Sequence, residues 1–343
     1  MSTETYCPRP DFNNIRAVLQ NKRPSRPTLF EFYMNWPLYK QFCGSLPADC
    51  PPELEGMLTT ILAYKNLGYD YAPVVFADFA FEMSNKESKA SCSMNEGIIS
   101  DRASFDAYAW PDPDKVVFDQ LAEIEPFMPE GMKLIAWGPG GVLENVTSLV
   151  GYENLCFMIM EDEELATDIF NQVGSRFLRY YEKCLKYDTV GAIISNDDWG
   201  FRSQTLFSPE QLRRFVFPWH KKIAAAAHAA GRPAILHSCG QLEAVWDDII
   251  DDMKYDAKHS YEDAILPIEQ AYEKYGSRIA ILGGLDLDFV CRSMPEAVYE
   301  RAKAIVAQTS KRGGYALGTG NSIPEYVPVE NYLAMIRAVR ELH

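Results

Sequence analysis

Two side chains separated by one residue, His237 and Cys239 in His237-Ser-Cys-Gly240, carry the most specific chemistry in the sequence. An imidazole and a thiolate two positions apart at the end of a strand face the same way, and together they supply half of a tetrahedral zinc site. A catalytic zinc takes three protein ligands and keeps a fourth position open, so a further ligand must come from another element. His259 and Glu262 in His259-Ser-Tyr-Glu-Asp263 rank first for that place, with Asp198 and Asp286 next. The plain alternative is a His and a Cys that simply pack at a rim. Glu31, Asp78, Asp197 and Asp198 are the carboxylates placed to act on a bound molecule, although a lone carboxylate serves equally often as a helix cap. Tyr33, Trp36, Asn196, Trp199, Asp286 and Asn321 are the candidates for holding a small substrate, with the aromatic ones equally suited to a core.

These residues cluster at or just past the ends of eight β-rich runs. The runs are Thr28 to Tyr33, Tyr71 to Phe76, Lys133 to Trp137, Val190 to Ser195, Pro233 to His237, Tyr255 to His259, Ile279 to Gly283 and Gly314 to Gly318. Each precedes a longer stretch of helical periodicity, clearest over 162–186, 208–230, 295–312 and 328–342. Ser208-Pro-Glu-Gln211 joins an N-cap, a first-turn proline and a capping-box glutamine, and Gly231 closes the helix that follows. Repeated strand–helix units predict an α/β fold, a single (β/α)₈ TIM barrel domain over 1–343, whose functional residues sit in the loops after the strands. The stretch 84–132 fits the repeat poorly and is expected to be an inserted loop region with a helix near Pro113 to Ile124. The glycines of Trp137-Gly-Pro-Gly-Gly141 lack the G-x-G-x-x-G spacing and argue against a dinucleotide site.

Composition narrows the partners. The 343 residues are 47% hydrophobic, enough for a large core, and carry a net charge of −15 that repels nucleic acid and anionic membranes. The N-terminal residues lack a signal-peptide pattern and no apolar run reaches a membrane span, so a cytoplasmic protein is expected. Its eight scattered cysteines then read as reduced thiols.

The segments Asn196-Asp-Asp-Trp-Gly200, Phe207-Ser-Pro-Glu210, Phe217-Pro-Trp-His-Lys-Lys222, His237-Ser-Cys-Gly240, His259-Ser-Tyr-Glu-Asp263, Gly283-Gly-Leu-Asp286 and Pro324 to Arg337 resemble the uroporphyrinogen decarboxylase-like superfamily. The resemblance is strongest over 190–340. It implies one of two chemistries. The decarboxylases hold a polycarboxylate with an arginine-rich N-terminal motif and have a histidine in the last strand's loop; here the matching stretches read Glu31-Phe-Tyr-Met-Asn-Trp36 and Gly318-Thr-Gly320. The other branch comprises methyltransferases that use zinc bound through H-x-C and a later cysteine. His237 and Cys239 match, whereas Gly318-Thr-Gly-Asn-Ser322 holds no cysteine. The resemblance thus favours a zinc-assisted methyltransferase that moves a methyl group between a small methylated ether, amine or thiol and a corrinoid such as methylcobalamin, free or on a corrinoid protein. The alternatives are a metal-free decarboxylase or lyase acting through Asp78 and the Asp197-Asp198 pair, and a non-catalytic corrinoid- or tetrapyrrole-binding protein.

Overall fold

The computed structural model describes residues 9–82 and 97–341. Seven strands form one all-parallel sheet in sequential order: β1 Tyr71–Val74, β2 Lys133–Trp137, β3 Val190–Asn196, β4 Ala234–His237, β5 Ala257–His259, β6 Ala280–Leu282 and β7 Tyr315–Ala316. Their residues are almost all buried, all seven of them in β3, which explains why the sequence shows continuous apolar runs here rather than alternation. The predicted strand at Thr28 to Tyr33 is instead an extended segment, tied to the far edge by Phe30 N–H to the Leu317 carbonyl at 2.8 Å and Leu317 N–H to the Thr28 carbonyl at 2.8 Å. The same segment meets the other edge through side chains: the Phe30 ring lies 5.6 Å from that of Tyr71, whose hydroxyl accepts the Glu31 N–H at 2.7 Å. Both edges of the sheet therefore rest on one segment.

Strand parity sorts the side chains. Ser195 turns toward the helices, where its hydroxyl lies 3.1 Å from His220 Nδ1, and Lys258 turns outward onto the Tyr261 ring, 4.3 Å away. The residues after them, Asn196 and His259, take the other face. Register pairs Asn196 with His237 and His237 with His259, so these three form one row across β3, β4 and β5 at the strands' C-terminal ends.

The predicted helices stand at Glu163–Cys184, capped by Asp162, and at Pro295–Thr309 and Val329–Arg340. Ser208 and Gln211 form the expected capping box, and a π-turn over Leu212–Val216 leads into Phe217–Ala229, where Pro218 has no N–H to continue an ordinary ladder. Part of the expected insertion, 84–96, lies outside the described residues. From 97 to 132 the chain makes only short pieces, and the expected helix near Pro113 to Ile124 is broken into Pro113–Lys115 and Gln120–Glu123, because Val116 leaves helical geometry with ψ 135°. No helix among the described residues is long and apolar enough to cross a membrane.

Candidate functional site

His237 and His259, side by side in that row, face each other with Nδ1 to Nδ1 at 2.8 Å, and His259 Nε2 lies 3.2 Å from the Thr319 carbonyl. A carbonyl can only accept, so His259 carries its proton on Nε2. Its Nδ1 then accepts from His237 Nδ1–H, which leaves the Nε2 lone pair of His237 free. Both rings stay neutral: burial, then the His259 and Lys258 neighbours, pushes His237 well below the usual histidine range, and burial pushes His259 down to about 3. Gly283 makes this packing feasible. At φ +66°, a Cβ there would lie 2.3 Å from the Thr319 oxygen and 2.8 Å from His259 Nε2.

The free nitrogen of His237 looks at sulfur. Nε2 lies 3.7 Å from Cys239 Sγ, and two zinc ligands at bond lengths of about 2.1 and 2.3 Å and a tetrahedral angle stand about 3.6 Å apart. The Asp198 carboxylate completes a group whose ligand atoms all lie within 4.8 Å of one another, the one such group among the described residues. Asp198 Oδ1 accepts the Cys239 N–H at 2.8 Å, leaving its other oxygen for a ligand. Gly240 sets this approach. At φ +86° it packs so closely on Gly200 that a Cβ would come within 2.1 Å of the Gly200 oxygen, so only glycine lets the loop after β4 lie against the loop after β3. Burial, and then Asp198, holds the Cys239 thiol well above its usual range, and burial likewise raises Asp198. A thiol and a carboxyl whose charged forms are disfavoured by burial, beside an imidazole nitrogen aimed at the sulfur, form an environment that a divalent cation would relieve. The donor set therefore fits zinc.

The structure places the other sequence-predicted residues as follows. Both ring nitrogens of His259 are engaged, with His237 Nδ1 and the Thr319 carbonyl, so it is placed to orient His237 and lies outside the Asp198–His237–Cys239 group. Glu262 is exposed on the side of Lys258 rather than beside Cys239. Asp197 is fully buried with four partners: it accepts from the Leu143 N–H at 2.9 Å, the Glu144 N–H at 3.0 Å and the Trp199 indole at 2.9 Å, and lies 2.9 Å from His220 Nε2. It fastens the helix Val142–Val150, and Trp199, its partner, is equally buried. Asp286 caps the helix Leu287–Arg292 through the Phe289 N–H at 2.9 Å and takes the Asp263 N–H at 2.8 Å. Glu31 is fully buried, bonded to the Thr319 hydroxyl at 2.7 Å and amide at 3.2 Å, and burial pushes it up to about 8. Asp78 is exposed in the turn after β1.

Other candidates do gather at the row. Tyr33 is partly exposed and stacks on Trp137 with centroids 5.7 Å apart, and Phe32 links that pair to His237, with centroids 5.0 Å from Trp137 and 4.4 Å from His237. Asn196 is buried beside His237 with its Oδ1 lacking a hydrogen-bond partner. Asn321 donates to Cys239 Sγ at 3.3 Å. Trp36 lies exposed over Tyr39, away from the row. Sequence reasoning missed Thr319, Ser260, Lys258 and Glu144. Thr319 and Ser260 sat inside quoted motifs, Gly318-Thr-Gly320 and His259-Ser-Tyr, where adjacency was the available signal. Glu144, which burial and then Asp198 hold well above the carboxylate range, gave none beyond its place in a capping box.

A fold of parallel strand–helix units with a His-x-Cys–carboxylate cluster at the strand ends defines an α/β enzyme-type scaffold with a candidate metal centre. Residues 59–342 match the family described as uroporphyrinogen decarboxylase (URO-D), and the chain belongs to that family. It is 31% identical over 198 residues to a methylated-thiol–coenzyme M methyltransferase of Methanosarcina mazei, a match spanning 56% of this chain and 49%, about half, of that protein. It is 25% identical over 313 residues to a uroporphyrinogen decarboxylase of Anaeromyxobacter sp., covering 86% of this chain and 87% of that one. A solved methyltransferase from Methanosarcina mazei superposes with a TM-score of 0.70 at 16% identity, covering 96% and 97% of the two chains, a likeness of fold.

Proposed function

We propose that this chain is a zinc-assisted methyltransferase that moves a methyl group between a small methylated ether, amine or thiol and a corrinoid co-substrate, free or carried by a partner protein. The observation that carries the reading is the 3.7 Å separation of His237 Nε2 and Cys239 Sγ with the Asp198 carboxylate within 4.8 Å. The methyltransferase relatives support it. His237, Cys239 and Asp198 would hold the metal, which would act as a Lewis acid on the substrate heteroatom bearing the methyl group. The residues of the chain do the rest. His259 and Thr319 keep the His237 lone pair aimed at the site, Phe32, Tyr33 and Trp137 offer an apolar wall to the methylated group, and Asn196 offers an unpaired carbonyl oxygen to a donor on the substrate. A neutral, buried Glu31 in place of arginines suits no polycarboxylate. The same reading takes 1–343 as one (β/α)₈ barrel domain with 28–34 as its eighth stave, working in the cytoplasm with its thiols reduced.

The test is metal content of protein purified at neutral pH, for wild type and Cys239→Ser, alongside thermal melting and a spectroscopic assay for methylation of reduced cobalamin by methyl ethers, amines and thioethers. One equivalent of zinc in wild type, lost with methyl transfer in a variant that still folds, is expected. Absence of zinc from wild type, or turnover of uroporphyrinogen at an enzymatic rate, would replace this reading with the metal-free decarboxylase.

A further inference from the structure

Cys239 is served by three loops, and one contributor is held in an unusual conformation. Ser260, directly after β5, is buried and has φ +86°, in the left-handed region that a residue with a Cβ rarely adopts. Strand parity explains what the conformation achieves. His259 faces the row at the strand ends, so a residue continuing the strand at 260 would face outward beside Lys258. The left-handed turn instead brings the Ser260 hydroxyl to 3.2 Å from Cys239 Sγ. Buried Lys258 reaches round to donate to the Ser260 carbonyl, and the Tyr261 N–H donates to the Gly320 carbonyl at 3.0 Å, so the turn is tied on both sides. The Asn321 amide donates to the same sulfur at 3.3 Å from the loop after β7. Consecutive residues at the end of β5 thus serve the two halves of the His-x-Cys pair: His259 orients the imidazole and Ser260 the sulfur.

We propose that Ser260 is a positioning residue whose hydroxyl, with the Asn321 amide, fixes the Cys239 sulfur toward His237 and draws electron density from it, and that the left-handed backbone at 260 is retained for this purpose. The inference rests on the metal reading above for its consequence, since hydrogen bonds to a coordinating sulfur weaken its donation and leave the metal a stronger Lewis acid. The geometry on which it stands is independent of any metal. Backbone strain of this kind persists where surrounding contacts over-determine it, and it clusters at functional sites.

Two substitutions separate the hydroxyl from the backbone. Ser260→Ala loses the hydroxyl and keeps the strain, whereas Ser260→Gly loses the hydroxyl and removes the strain. Ser260→Gly should melt no lower than wild type and above Ser260→Ala. In metal-free protein at fixed pH, alkylation of Cys239 by iodoacetamide, followed by peptide mass mapping, should slow in both variants by about three- to tenfold, the worth of one lost hydrogen bond to the reacting sulfur. In cobalt(II)-loaded protein the sulfur-to-cobalt charge-transfer band should move to lower energy by the same amount in both. Wild-type alkylation rates in both variants, or effects confined to Ser260→Ala, would show that the hydroxyl only fills space and would overturn the proposal. Failure of wild type to take up cobalt would sink the metal reading, and the alkylation rates would still decide the role of Ser260.

Discussion

Replacing Glu31 by Gln tests the electrostatic interior on which the site stands. Glu31 is fully buried, its carboxyl meets the Thr319 amide and hydroxyl, and burial raises it from 4.5 to about 8. The folded protein therefore holds a proton that the unfolded chain gives up. A raised folded value contributes stability that is fully present below the unfolded value, near pH 4.5, and is lost as pH rises through about 8. At pH 7 the unfolded chain has gained from ionisation over 2.5 pH units, which costs the folded state about 3 kcal/mol at 1.36 kcal/mol per unit. Gln has the same shape, can accept from the Thr319 N–H and donate to the Thr319 hydroxyl, and never ionises. Glu31→Gln should match wild type near pH 4.5, exceed it by about 3 kcal/mol at pH 7, and gain further to pH 8. Urea unfolding followed by circular dichroism across pH 4.5 to 9 measures the difference. Parallel stability curves for the two proteins would refute a neutral Glu31 and with it the account of the Thr319–His259 chain.

Other substitutions probe the remaining links. Folding also holds His259 neutral, its value lowered from 6.5 to about 3, so its contribution is present above pH 6.5 and is lost as pH falls toward 3; His259→Phe should flatten acid unfolding in that window. The same variant removes the partner that sets the His237 tautomer, and zinc affinity by competitive chelation should drop about 10- to 100-fold. Asp198→Asn should lower zinc affinity by a similar or larger factor with little change in melting temperature, and unchanged zinc would exclude it as a ligand. Asp197→Asn should do the reverse, destabilising by about 2–4 kcal/mol in denaturant melts because four buried partners lose a charged acceptor. Equal zinc loss in both variants would contradict the division of labour drawn between the two aspartates.

Local signals carried far in this sequence. Buried parallel strands read as apolar runs, so seven of eight strand positions were legible, and strong start signals placed the helices that open at Ser208 and Pro295. His237 and Cys239 were legible as a pair because two residues along a strand return a side chain to the same face. The segment Thr28 to Tyr33 shows the limit: its composition is that of a strand, but it meets β1 through the Tyr71 side chain, which no local pattern encodes. The same limit divided the polar residues. Asp197 and Asp198 are adjacent and identical in type, yet backbone direction sends one into the amides of Val142–Val150 and the other to Cys239. His259 and Glu262 had suitable chemistry, and only the packing of β5 beside β4, with Gly283 admitting the Thr319 carbonyl, turned the histidine into an orienting partner and left the glutamate outside. Residue type and period are written locally and determine which elements form and which faces they present. The role of a polar side chain depends on which donor, acceptor or void meets it from elements far along the chain, and that is settled only when the sheet brings those elements together.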